Sequence, residues 1–370
     1  MSTSHAAPTP TADDAAPASS SGHRWDFDLL RILAILGVVA IHVFGLILGS
    51  PELKGTATWT FAVVLDIGST WCVPIFVMLS GALLLDPRAH RAGPGAFLRR
   101  RAARLLPAVV VWHLVYLVVV RKVLLESELD PSTVAVNFID GKVYTALYFL
   151  WLILGLYLVA PVLAAFLAGD TRRARIVAVL ACLWCAAVVT LPVLASYLGF
   201  PRARVDTLVT MFVPYVGLFV AGYAWRHPQR TGVRWLAAGT VAAVLVAFNV
   251  WLFLAGPSDA VALLKAVVPI NYATVPTVVA SIALFVCVID LCARVEPPAG
   301  VRRVLQRLGD ATFGVFLVHL VFVAIVRRWA PDLYADPAPV AKTQLYLLVV
   351  AASFATSVVA ARIPLLRRVF

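Results

Sequence analysis

Apolar stretches of about 20 residues alternate with short polar segments along almost the whole chain. A helix rises about 1.5 Å per residue, so a stretch of that length crosses a hydrocarbon core of about 30 Å. Because the intervening segments are short, the pattern predicts an all-α polytopic membrane protein with about ten transmembrane helices. We place these spans at 29–48, 61–85, 102–120, 144–168, 174–196, 207–225, 233–255, 266–292, 311–327 and 342–362.

The composition agrees with this pattern and separates a short tail from the rest. Hydrophobic residues make up 62% and charged residues 14% of the 370 positions, which a soluble domain could not accommodate. Residues 1–23 are rich in Ala, Pro, Ser and Thr, so we predict a disordered cytoplasmic tail. Residues 24–370 then form a single ten-helix membrane domain. Since the tail lacks a charged start, we interpret 29–48 as a retained span, with cleavage near Gly49 as the minor alternative.

The basic residues are distributed unevenly between alternate loops. The net charge is +12, and roughly twice as many lysines and arginines lie in segments on the side of the N-terminus as on the other side. By the positive-inside rule, this predicts that both termini are cytoplasmic. The positive charge is therefore interpreted as topology and phosphate contact, with no nucleic-acid partner.

The eighth predicted span is interrupted. Pro269, Asn271 and Pro276 lie in its outer half. Prolines leave backbone groups that neighbouring helices or water must satisfy. We therefore expect this end to line a cavity or to lie partly outside the bilayer.

The first span contains Asp28, Arg31 and His42 in otherwise apolar sequence. Ionisable groups in lipid are costly, so these side chains should face a protein interior or a wet cavity. Eleven residues separate Arg31 from His42, which places both on one helix face about 16 Å apart along the axis. Asp28 lies one turn before Arg31, where an ion pair can form. His42 could act as a general base or as a transient acyl carrier. Alternatively, it has only a structural role.

The third span opens with a cluster of arginines. Arg101 and Arg104 share a helix face at the inner interface, where guanidinium groups can bind phosphates. Their alternative role is to anchor the helix to lipid head groups. His113, further along this span, has Trp112 and Tyr116 nearby, and we assign it a packing role.

Five motifs occur in a characteristic order. They are DLLR at 28–31 followed by His42, FVMLSGALLL at 76–85, RRAARLLP at 100–107, YFLWLILGLYLVAPVL at 148–163 and FGVFLVHLVF at 313–322. Together they resemble the acyltransferase-3 family of integral membrane O-acyltransferases, and within it the branch that O-acetylates bacterial surface polysaccharides. The resemblance covers about residues 24 to 362.

The resemblance implies the reactants and the site. It implies acetyl-CoA or another acyl-CoA as a cytosolic donor, a hydroxyl of a sugar, glycan or glycolipid as acceptor, and a multi-pass location in the cell membrane, the inner membrane of a bacterium. No metal is expected. Carried over by position, the catalytic candidates are His42 and His319, the donor-binding candidates are Arg31, Arg101 and Arg104, and the supporting candidates are Asp28, Tyr148 and Trp151. Tyr148 stands where the family usually has Trp, and Trp151 where it usually has Tyr.

Two other functions fit the sequence. A secondary transporter or flippase would also use many helices, intramembrane Arg and His, and a broken span. A membrane scaffold would not need the Arg31 and His42 face. The five cysteines lie within predicted spans, where neither a disulfide framework nor a zinc site is the natural interpretation.

Overall fold

The computed structural model describes residues 23–202 and 206–370, which form helices and connecting segments without a β-strand. The predicted all-α class is therefore confirmed. Within this part of the chain, nine helical segments are long and apolar enough to cross a membrane. The helices are α1 (Trp25–Leu48), α2 (Ala57–Ile67), α3 (Cys72–Leu84), α4 (Pro94–Leu114), α5 (Pro131–Ile139), α6 (Tyr148–Leu167), α7 (Thr171–Tyr197), α8 (Val216–Ala224), α9 (Arg234–Leu254), α10 (Asp259–Val267), α11 (Val275–Cys292), α12 (Ala299–Trp329), α13 (Pro331–Ala335) and α14 (Pro339–Ala360). The tail predicted at 1–23 lies outside the described residues, apart from His23.

Prolines explain where two helices differ from the predicted spans. The span predicted at 61–85 consists of α2 and α3 with a turn between them, and Pro74 lies in the first turn of α3. Proline lacks the amide hydrogen that a helix interior requires, but the first turn does not use it. For the same reason α4 begins at Pro94, eight residues before the predicted start, and it continues beyond Leu114 as a π-helical segment, Val115–Leu124.

The span predicted at 207–225 is a short helix. A 3-10 turn (Val213–Tyr215) leads into α8, which is apolar and buried on all sides. Its backbone touches that of α3: a Cβ added at Gly222 would lie 1.8 Å from the Met78 carbonyl oxygen. Glycine is required at this contact because any side chain would separate the two helices.

The break predicted in the eighth span is confirmed. Helix α10 ends at Val267, and α11 begins only at Val275, with Pro276 in its first turn. Asn271 and Tyr272, in the non-helical segment between them, line a cavity. Irregular backbone inside a membrane domain is tolerated where it borders such a space.

Helix α1 lies at the centre of the bundle and packs against α2, α3, α12 and α14. At one end, Gly309 of α12 lies against Asp28 of α1, where an added Cβ would come within 2.7 Å of the carboxylate oxygen Oδ1. This close contact brings the two helices together and aligns their inward faces.

Candidate active site

His42 of α1 and His319 of α12 lie side by side within the bundle. Their ring centroids are 5.2 Å apart and the ring planes are inclined by 36°. His319 is fully buried, whereas His42 is half-buried and borders a cavity. The structure thus brings together the two histidines that the sequence singled out, from segments far apart in the chain.

The hydrogen bonds of His319 define its protonation. Nδ1 lies 2.8 Å from the carbonyl oxygen of Phe316 and 3.2 Å from that of Val315. A carbonyl oxygen can only accept, so Nδ1 carries the hydrogen and Nε2 carries a lone pair. Nε2 is buried and has no hydrogen-bond partner among the described residues. An imidazole fixed in this way can accept a hydrogen bond from a neighbouring N–H or O–H group.

A cavity of about 710 Å³, here called the large cavity, adjoins His42. This volume is within the range of about 300–1,000 Å³ that is usual for small-molecule sites. Tyr148 hydrogen-bonds to Tyr215 in its wall. The polar residues that line it are Lys142, Thr145, Tyr148, Asp206, Tyr215, Asn271 and Tyr272. Aromatic rings with hydroxyl, amide and charged groups form a lining suited to a polyhydroxylated ligand.

Arg31 lines a second, smaller cavity of about 170 Å³, here called the Arg31 cavity. Its Nη1 donates to Asp28 Oδ1 at 2.7 Å, so the ion pair suggested by their spacing is present. The Asp28 carboxylate is fully buried and also contacts the imidazole of His23. A buried, paired carboxylate holds the guanidinium in one position and lowers the cost of placing it inside the bundle.

Three phenylalanines separate the two cavities. Phe76, Phe149 and Phe316 line both the Arg31 cavity and the large cavity. The ring of Phe149 lies 6.1 Å from that of Phe76 and 5.3 Å from that of Phe316, in edge-to-face arrangements. This set of rings, which both cavities share, is here called the phenylalanine constriction.

The two other predicted arginines lie near the Arg31 cavity but do not line it. Arg104 is exposed, and the guanidinium carbon of Arg101 lies 5.5 Å from the centre of the Phe97 ring. Tyr157 lies between these arginines and the Arg31 cavity, since it lines that cavity and interacts electrostatically with both arginines. Three guanidinium groups therefore surround one end of the bundle, here called the basic end.

Trp151 lies on the side of α6 that faces α4. It is absent from the lining of the large cavity, and its Nε1 donates to Nε2 of His113 at 3.1 Å. His113 in turn donates from Nδ1 to the Val109 carbonyl at 2.7 Å. The indole lies one helical turn from Tyr148 and points towards α4, so Trp151 supports helix packing, and His113 has the packing contacts expected of it.

Other residues at the site were not identified from the sequence. Tyr215 and Tyr272 line the large cavity, but tyrosines are common in membrane spans and gave no distinguishing signal. Asp66 of α2 faces Gly45 of α1, where an added Cβ would lie 2.8 Å from Oδ2. An aspartate inside a predicted span is itself a sign of function, and this signal was available.

Potential metal ligands do not cluster in the described part of the chain. Across residues 23–202 and 206–370, no group of three His, Cys, Asp or Glu side chains is arranged to hold a metal ion.

Comparisons with known proteins identify the class. The fold is a polytopic helical bundle with a histidine pair beside a cavity, and the acyltransferase domain (acyltransferase-3) family matches residues 24–362. The chain belongs to this family, and its apolar helices are those of a multi-pass membrane protein. Membership in this family favours an enzyme over the transporter and scaffold functions that also fit the sequence.

One curated relative matches only part of the chain. Over 93 residues the chain is 38% identical to nodulation protein 10 of Rhizobium leguminosarum bv. viciae, a match that covers 25% of this chain and 24% of that protein. The chain therefore matches about a quarter of the length of this curated relative. No solved structure gives a significant match.

Proposed function

We propose that this acyltransferase moves a short acyl group, in the simplest case acetyl, from acyl-CoA to a hydroxyl of a sugar, glycan or glycolipid. The observation that carries the proposal is the position of His42, which borders the large cavity, a space that shares the phenylalanine constriction with the Arg31 cavity. An acyl donor and an acceptor need separate entrances that meet at one catalytic group.

The donor enters from the basic end. Arg101 and Arg104 bind the CoA phosphates, since guanidinium groups suit phosphate oxygens. The basic end faces the cytosol, in agreement with the excess of basic residues on that side and with an inner-membrane location. The extended pantetheine arm then passes Arg31 and the phenylalanine constriction, covering about 16 Å of helix rise to reach His42.

His42 acts as general base. It takes the proton of the acceptor hydroxyl while the hydroxyl oxygen attacks the thioester carbonyl and forms the new C–O bond. The C–S bond then breaks, and the His42 imidazolium gives its proton to the leaving thiolate, which yields free CoA. His319 Nε2, which has no partner in the described part of the chain, lies in a ring 5.2 Å from that of His42 and would accept a hydrogen bond from His42 once His42 takes the proton, which stabilises the charged imidazole.

The large cavity holds the acceptor. Its tyrosines supply faces on which a sugar ring can stack, and Asn271 and Thr145 can exchange hydrogen bonds with sugar hydroxyls. Site-directed changes should therefore separate the donor residues at one end from the acceptor residues at the other.

The test uses purified full-length protein in nanodiscs with radiolabelled acetyl-CoA and a panel of glycans. His42→Gln should lower transfer by at least 100-fold, because general-base catalysis contributes about 10²- to 10⁴-fold. His113→Gln is the matched control, a buried histidine that lies away from the large cavity. Near-normal transfer by correctly inserted His42→Gln protein would overturn the assignment.

The same material distinguishes direct transfer from an acyl-histidine intermediate. Direct transfer predicts no protein-bound label when labelled acetyl-CoA is added without acceptor. Acid-quenched label on His42 in wild type, absent from His42→Gln, would establish the covalent route in its place.

A further inference from the structure

A third cavity borders His42 on another side. It has a volume of about 330 Å³ and shares Ile41, His42 and Thr145 with the large cavity, so the imidazole lies where the two spaces meet. Because Arg327 of α12 also lines it, we call it the Arg327 cavity. It lies at the opposite end of the bundle from Arg31.

The lining of the Arg327 cavity is rich in hydrogen-bond donors. Besides Arg327, three hydroxyl-bearing residues line it, Tyr144, Thr145 and Tyr334, and no carboxylate is present among its described lining residues. A phenol is protonated at neutral pH, so the Tyr144 hydroxyl keeps its hydrogen and can donate.

Arg327 has no carboxylate partner among the described residues. Its guanidinium carbon lies 5.7 Å from the centre of the Tyr334 ring. The adjacent Arg328 instead forms an ion pair with Glu126 at 3.1 Å and does not line the cavity. In the proposed orientation Arg327 lies on the outer side, where the positive-inside rule gives no reason for a cation.

We propose that the Arg327 cavity binds a phosphate group beside His42. This inference rests on the proposed function, because a phosphate held there would position the rest of an acceptor in the adjoining large cavity. A guanidinium fork with three hydroxyl donors can contact several oxygens of one phosphate. Two sources fit this chemistry: a phosphate carried by the acceptor, and the head group of an anionic lipid.

The test measures binding of inorganic pyrophosphate to purified full-length protein by calorimetry, without acyl-CoA. Arg101→Gln and Arg104→Gln are introduced first, so that the donor end does not contribute. In that background Arg327→Gln should weaken binding at least tenfold, since a hydrogen bond to a charged group is worth about one to two powers of ten in affinity. Arg328→Gln, the neighbouring matched control, should change it less than twofold.

Equal affinities of the Arg327→Gln and Arg328→Gln proteins would overturn the proposal. Thermal unfolding of each variant checks that it is folded, and Arg327→Lys, which keeps the charge but not the fork, should bind with intermediate affinity. Because the readout is binding, it remains informative even if the protein shows no acyl transfer.

Nanodiscs of two compositions identify the source of the phosphate. If phosphatidylglycerol lowers the apparent pyrophosphate affinity of the Arg327 site relative to phosphatidylcholine, a lipid head group occupies the cavity. If the affinity is the same in both, the cavity is free for a phosphate on the acceptor. In the second case, KM for a sugar phosphate should rise about tenfold in Arg327→Gln, while KM for the unphosphorylated sugar is unchanged.

Discussion

Gly309 of α12 lies directly against Asp28 of α1, and a Cβ at that position would come within 2.7 Å of the carboxylate that holds Arg31. The absence of one side chain therefore allows the ion pair that fixes the guanidinium in the Arg31 cavity. This contact leads to the first prediction.

Gly309→Ala should weaken donor binding. The added methyl group displaces Asp28 from Arg31, and overpacking of this kind costs about 1–3 kcal/mol of stability. KM for acyl-CoA and the unfolding temperature together measure the effect. Gly300→Ala is the control, because Gly300 lies in the same helix with nothing within 4 Å of its added Cβ. Identical behaviour of the two variants would contradict this account.

Phe149→Leu should widen the range of acyl donors. The change removes one ring from the phenylalanine constriction, so that longer acyl chains can pass towards His42. We expect transfer from butyryl-CoA relative to acetyl-CoA to rise about tenfold, which corresponds to about 1.4 kcal/mol. Competition assays with mixed donors measure this ratio. In Phe166→Leu, an exposed position on the same helix, the ratio should remain that of wild type.

His319→Asn should lower kcat and leave KM for acyl-CoA unchanged. The asparagine amide can still donate to the Phe316 carbonyl, but the shorter side chain places no acceptor at the position of Nε2, beside His42. We expect a loss of about 10²-fold in kcat, at the lower end of general acid–base contributions. Steady-state kinetics separate the two constants. A rise in KM with normal kcat would assign His319 to substrate binding instead.

The cap of helix α5 should be sensitive to acid. Asp130 accepts from the Thr133 amide at 2.8 Å, and its hydrogen bonds with Ser132 and Thr133 lower the pKa of Asp130 to about 2. Since the folded pKa is below the unfolded value of about 3.9, the stabilisation is complete above pH 4 and is lost as the pH falls through 2. Hydrogen exchange of α5 amides between pH 5 and 2 should report the loss.

Asp130→Asn is the control in that experiment, because it removes the titratable carboxylate but keeps a side chain that can cap the helix. Asparagine is also a good N-cap, so this variant should retain protection above pH 4 and show no acid-dependent loss. An unchanged acid dependence in Asp130→Asn would show that another group controls the helix.

The helical spacing of residues in the sequence was sufficient to predict several features of the site. The spacing of Arg31 and His42 placed both on one face of α1, and both line cavities inside the bundle. The spacing of Asp28 and Arg31 likewise indicated their ion pair, because both pairs depend only on the geometry of a single helix. The break before Val275 followed from prolines, whose effect on a helix is also local.

The sequence alone therefore determined the membrane class, the approximate positions of most spans and which side chains of α1 share a face, since apolar length and helical period are properties of one segment. Only the tertiary structure decided that His319 meets His42, that the Trp151 indole donates to His113, and that three phenylalanines line both cavities. Those relationships join residues on different helices. Their distances depend on how the helices cross, and close contacts such as Gly309 against Asp28 set that crossing through the shapes of both partners.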